Sequence, residues 1–154
     1  RGVRVFVASS GQHAKSMAEL ASDLGVASHF PDVDAAVERN SPIKLLLWIL
    51  PAFARLVGEL RRMRRSGASI CLVHGDTLST LLGAIASKLA GLSVGHVESG
   101  LTSGRMLAPF PEELTRRLVF RCADWAFCPT EENVALMRRI SAARIVNTNG
   151  NTIE

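Results

Sequence analysis

A chain of 154 residues with 47% apolar and 21% charged side chains is long enough to bury a core, and that balance excludes an intrinsically disordered protein. The net charge of +4 comes from arginines gathered at 55–65 and 116–144, as on solvated helix faces, and the scarcity of aromatics and absence of tyrosine argue against a nucleic-acid partner. Cys71, Cys122 and Cys128 are odd in number and lack metal-ligand spacing, so they read as reduced thiols in a cytoplasmic protein without a metal.

Residues 3–8 are rich in β-branched side chains and predict a short, mostly buried strand, turned at Ser9-Ser10-Gly11. Residues 12–24 carry Met17, Leu20, Ala21 and Leu24 at helical spacing and stop at Gly25. Residues 27–41 are polar and read as a loop with a short helical piece.

The most apolar run is 43–57. At about 15 residues, and with Lys44, Pro51 and Arg55 inside it, it falls short of the roughly 20 needed to cross a bilayer. Leu46, Ile49, Leu50, Phe53, Val57, Leu60 and Met63 form one stripe, which predicts a core helix kinked or restarted at Pro51. The alternative is a weak membrane-surface contact through residues 43–65, with Trp48 at the interface and Arg61, Arg62, Arg64 and Arg65 on lipid phosphates.

A second strand is expected over 68–74, entered from Ser66-Gly67. A helix marked by Leu78, Leu81, Leu82, Ile85 and Leu89 follows and closes at Gly91. A third strand spans 93–97, and a glycine-bearing loop spans 98–108. Pro111 suits the first position of a helix over 112–122. A fourth strand occupies 124–128, Thr130 caps the next helix, and a fifth strand covers 144–147. Strands alternating with helices predict an α/β fold, a Rossmann-like doubly wound parallel sheet.

In such sheets ligands bind beyond the C-terminal strand ends. Asp76, Glu98 and Glu112, with Glu113 beside it, each follow a predicted strand end or open a predicted helix. Each acid except Glu98 has a local alternative. Asp76 could cap a helix; Glu112 and Glu113 are acids in a first helical turn, and Glu113 can pair with Arg117 at i,i+4. Carboxylates on neighbouring loops raise one another's pKa, which suits proton abstraction or protonation of a leaving group. His74 and His96 fall in strands without a paired-histidine motif, and His96 reads as a hydrogen-bonded strand residue. Ser10-Gly11-Gln12-His13 is either a plain β–α turn or an anion site.

Several segments resemble one family in order and spacing. They are Val73-His74-Gly75-Asp76-Thr77, Gly95-His96-Val97-Glu98-Ser99-Gly100-Leu101, Pro109-Phe110-Pro111-Glu112-Glu113, Arg116-Arg117, Ala123-Asp124, Phe127-Cys128-Pro129-Thr130-Glu131 and Asn149-Gly150-Asn151-Thr152. The chain resembles UDP-N-acetylglucosamine 2-epimerase over nearly its whole length. That resemblance implies one half of a two-domain glycosyltransferase-B architecture. Residues 1–148 would form the N-terminal Rossmann-like domain, with its first strand ahead of Arg1. Residues 149–154 would begin a linker to a C-terminal domain.

The implied reaction interconverts UDP-GlcNAc and UDP-ManNAc by eliminating UDP with loss of the C2 proton and adding it back. The resemblance makes Asp76, Glu98 and Glu112 the catalytic acids of this domain, Glu113, Arg116 and His96 substrate-binding residues, and Gln12 and His13 an allosteric pair. It implies no cofactor, a UDP-sugar substrate, a cytoplasmic homodimer and a role in cell-surface polysaccharide biosynthesis. The chain departs from the family pattern at Thr102, where the family has arginine, and at Thr115, where it has asparagine. Three other functions fit the same residues: a hydrolysing 2-epimerase releasing ManNAc and UDP, a glycosyltransferase of the same fold, and a non-catalytic sugar-nucleotide-binding domain.

Overall fold

The computed structural model describes residue 5 and residues 42–105 and 108–150. Apart from residue 5, the strand expected over 3–8 and the helix over 12–24, on which a doubly wound reading depends, lie outside the described residues, as do Gln12 and His13. The chain divides into two units, 1–68 and 69–154.

In the first unit the apolar run becomes helix α1, Pro42–Arg65. It passes through Pro51 as one helix, so the expected restart does not occur. Val57, Leu60 and Met63 are buried, as helical periodicity requires, whereas Leu50, placed on the same stripe, is 61% exposed. The helix ends because Gly67 adopts φ +102°, letting the Gly67 and Ala68 amides turn back onto the carbonyls of Arg64 and Met63, both at 3.0 Å. Ala68 thereby serves the helix end, and the next strand starts at Ile70 rather than 68. No helix among the described residues is long and apolar enough to cross a membrane.

The second unit alternates strands and helices: β1 (Ile70–His74), α2 (Leu78–Ala90), β2 (Ser93–Val97), α3 (Glu112–Cys122), β3 (Trp125–Cys128), α4 (Glu131–Ile140) and β4 (Arg144–Asn147). The strands pair in parallel in the order β1-β2-β3-β4, with His74 opposite Val97 and Val97 opposite Phe127. This is the α/β parallel sheet that the alternation predicts.

Period-two alternation sends Val73 and Val94 to one face, where Leu81 and Ala84 of α2 and Val119 of α3 cover them. On the same face Ala126 and Cys128 pack with Phe120 of α3 and Val134 and Met137 of α4. Adjacent residues Val119 and Phe120 therefore make α3 the bridge between two clusters. Asp124 fastens the opposite end of the sheet: its carboxylate accepts from Lys88 Nζ at 2.7 Å and from the Val94 amide at 2.8 Å.

Helix α2 buries only part of the expected stripe. Leu81, Ala84 and Ser87 face inward, while Leu78, Ile85 and Leu89 are exposed. Ala84, Ala86 and Ser87 permit the close approach of α2 to α3 and the sheet, and Leu78, Ile85 and Leu89 are turned out. Gly91, at φ +78°, closes the helix as expected.

Candidate active site

β1 delivers the first acid. Gly75, at φ +76°, turns the chain after His74, and Asp76 and Thr77 follow. Thr77, not Asp76, caps α2: its hydroxyl accepts from the Thr80 amide at 3.3 Å. Thr80 in turn donates its hydroxyl to the His74 carbonyl at 2.7 Å, tying the helix start to the strand end. The cap position falls one residue later than the local pattern suggests, so the Asp76 carboxylate is released from that task. It forms an ion pair with Arg116 Nη2 of α3.

β2 delivers the second. Glu98 sits at φ +61°, a left-handed conformation unusual for a residue with a Cβ. The following turn holds it there. The Ser99 amide donates to the Phe127 carbonyl at 2.9 Å, and Asn133 Nδ2 donates to the Gly100 carbonyl at 2.8 Å. The Glu98 side chain is 17% exposed, and its Oε2 lies 3.2 Å from Nε2 of His74, the half-exposed last residue of β1.

His96, two residues earlier, is buried beneath this turn. Its Nε2 donates to the Gly75 carbonyl at 2.8 Å, so Nδ1 accepts from the Ser99 hydroxyl at 3.1 Å. Burial pushes its pKa down, and the nearby charges of His74 and Arg116 add to that, against the Gly75 hydrogen bond and Asp76. The residue is a neutral strut joining the two strand ends, with its ring tilted against Phe120 at 5.6 Å between centroids.

α3 delivers the third acid. The helix begins at Glu112, with Pro111 at the cap position rather than the first helical one; a pyrrolidine ring offers no side-chain cap, and none forms. Glu112 Oε2 is, among the described residues, a buried side-chain oxygen without a hydrogen-bond partner. A buried acceptor of that kind is an open valence for a donor.

Glu113 is its opposite. It is fully buried, and both oxygens are saturated within the chain. Oε1 accepts from the Thr102 hydroxyl and from Arg117 Nε at 3.0 Å; Oε2 accepts from the Ser103 amide at 3.1 Å and from Arg116 Nη1 at 2.7 Å. Burial by itself would raise its pKa. The hydrogen bonds from Thr102, Ser103 and Arg117 and the charge of Arg116 outweigh that and hold it at about 2. The expected Glu113–Arg117 pair therefore forms, within a larger network.

Asp76 and Glu98 thus occupy loops after adjoining parallel strands. Glu112 opens the helix whose Arg116 reaches Asp76. Neither the Arg116 bridge nor the His74–Glu98 contact is visible in the linear pattern, because both depend on strand register and on α3 crossing the sheet edge.

A family model described as UDP-N-acetylglucosamine 2-epimerase matches residues 1–153. The chain is 30% identical over 148 residues to UDP-N-acetylglucosamine 2-epimerase of Bacillus subtilis, covering 96% of this chain and 37% of that protein. It is 39% identical over 84 residues to the protein of the same name from Neisseria meningitidis, covering 53% of this chain and 22% of that one. A crystal structure of UDP-N-acetylglucosamine 2-epimerase superposes with a TM-score of 0.62 at 28% identity, covering 83% of this chain and 34% of that one. The Neisseria meningitidis UDP-GlcNAc 2-epimerase bound to UDP-GlcNAc shares the fold, with a TM-score of 0.71 at 24% identity over 97% of this chain and 39% of that one. This chain therefore spans well under half the length of these proteins. Over that span, the chain belongs to the UDP-N-acetylglucosamine 2-epimerase family.

Proposed function

We propose that this chain supplies one domain of a nucleotide-sugar 2-epimerase that interconverts UDP-GlcNAc and UDP-ManNAc. Asp76, Glu98 and Glu112 together handle the C2 proton and the departing and returning UDP. The reaction is balanced without a redox cofactor. The C2–H bond breaks, its electron pair forms a C1–C2 double bond, and the C1–O bond releases UDP with its electrons; re-addition restores the C1–O bond to UDP and places a proton on the opposite face of C2. Gln12 and His13 are assigned to regulation by nucleotide sugar.

The observation that carries this reading is the position of Asp76 and Glu98 on loops after adjoining strands, together with a buried oxygen on Glu112 that has no hydrogen-bond partner among the described residues. A helix cap does not account for Asp76, since Thr77 takes the one it would have held. Glu113 and Arg116 contribute by fixing the edge on which substrate rests. The nucleotide lies against a second domain reached through a linker that begins at residue 149, in a protein that works as a cytoplasmic homodimer in cell-surface polysaccharide synthesis.

The test is to incubate the full-length protein with UDP-GlcNAc in heavy water. Deuterium at C2 of newly formed UDP-ManNAc is the expected product. Free ManNAc with UDP would instead identify a hydrolysing enzyme. D76N, E98Q and E112Q should each depress turnover by roughly 100-fold or more. Wild-type rates in D76N and E98Q would sink the acid/base assignment.

A further inference from the structure

His74 is a titratable side chain that the catalytic assignment above leaves unused. It closes β1, is half exposed, and places Nε2 3.2 Å from Oε2 of Glu98, whose own side chain is only 17% exposed. The contact follows from the fold. His74 pairs with Val97 across the sheet, so the next residue of the neighbouring strand, turned at φ +61°, brings its carboxylate back over the imidazole. Glu98 is thus mostly enclosed, with a half-exposed imidazole against its carboxylate.

We propose that His74 is the proton conduit between Glu98 and solvent. This rests on the epimerase reading of the site. An imidazole accepts a proton at one ring nitrogen and releases one from the other, so a ring with one end on a carboxyl and its body half in water suits the task. When a proton leaves substrate C2 for Glu98, the carboxylic acid passes it to Nε2. The O–H bond breaks, an N–H bond forms, and the imidazolium then gives a proton to bulk water. In the reverse direction the imidazolium reprotonates Glu98. No electrons change hands.

The other titratable groups nearby are unsuited. His96 has both nitrogens engaged, on Gly75 and Ser99, and is buried. Asp76 and Arg116 are held to one another, and an arginine does not release its proton.

The experiment uses the full-length protein with UDP-GlcNAc in heavy water and follows both turnover and deuterium entry at C2. H74Q keeps a hydrogen-bond donor but carries no proton; H74A removes the ring. Both should lower the rate of deuterium entry by roughly 100-fold, with KM little changed. Added imidazole should restore part of the loss in H74A. Thermal unfolding should stay at the wild-type temperature, since the side chain is half exposed. Wild-type exchange in H74Q, or a loss in H74A that H74Q repairs and imidazole does not, would overturn the conduit and leave His74 as a simple hydrogen-bond partner. Failure of the wild-type protein to label C2 at all would instead refute the epimerase reading, and the two failures are distinguishable.

Discussion

Arg116 grips Asp76 from forty residues further along the chain, and its second guanidinium nitrogen lies 2.7 Å from Glu113. One side chain therefore joins a strand-end acid to a fully buried one. Because Glu113 also binds Thr102 and the Ser103 amide, the loop after β2 is fastened to the same point. The short hydroxyl of Thr102 reaches Glu113 directly. A planar, forked guanidinium can satisfy two carboxylates at fixed angles, which a lysine cannot.

Removing that fork should misplace Asp76 without deleting it. R116Q in the full-length protein is expected to lower kcat/KM by roughly 100-fold, and R116K to recover only part of it. Steady-state kinetics with UDP-GlcNAc check this; full activity in R116K would mean that charge alone, not geometry, matters.

Glu113 makes stability depend on pH in a defined window. Its folded pKa of about 2 lies below the ordinary value of 4.5, so its contribution is fully present above that ordinary value and is lost as pH falls toward 2. The difference corresponds to about 3 kcal/mol at neutral pH. E113Q should therefore unfold at markedly lower urea concentration than wild type at pH 7, and the gap should narrow below the ordinary carboxylate range. Equal midpoints at pH 7 would show that the four donors to Glu113 contribute nothing.

Two glycines should respond to alanine in opposite directions. At Gly100, φ is +90° and a Cβ would stand 2.7 Å from the Asn133 carbonyl oxygen, so G100A should destabilise by about 1–3 kcal/mol and disturb the turn that holds Glu98. At Gly58, inside α1, a Cβ meets nothing within 4 Å, and G58A should stabilise by about 0.5–1 kcal/mol. Thermal melts of the two variants distinguish these outcomes directly.

Thr130 offers a smaller, local test. Its hydroxyl accepts from the Asn133 amide at 3.3 Å at the start of α4, and Asn133 in turn holds Gly100. T130A should cost about 1 kcal/mol, while T130S should cost much less. Chemical denaturation of both variants decides whether the cap is what stabilises this helix end.

The sequence by itself determined what local physics controls. Helical and alternating periodicity located every strand and helix of the second unit to within a residue or two. Gly91 and Thr130 marked helix ends, and the acids could be placed at one edge of a parallel sheet. Even at this level, neighbouring residues competed. Thr77 took the cap that Asp76 could have filled, and Ala84, Ala86 and Ser87 faced inward on α2 beside Leu81, while Leu78, Ile85 and Leu89 did not. Only the tertiary structure decided how the acids differ. Asp76 is paired, Glu98 touches His74, Glu112 keeps an oxygen with no partner among the described residues, and Glu113 is saturated. Those distinctions depend on register and on which loops meet across the sheet edge, and contacts between residues distant in the chain leave no period in the sequence.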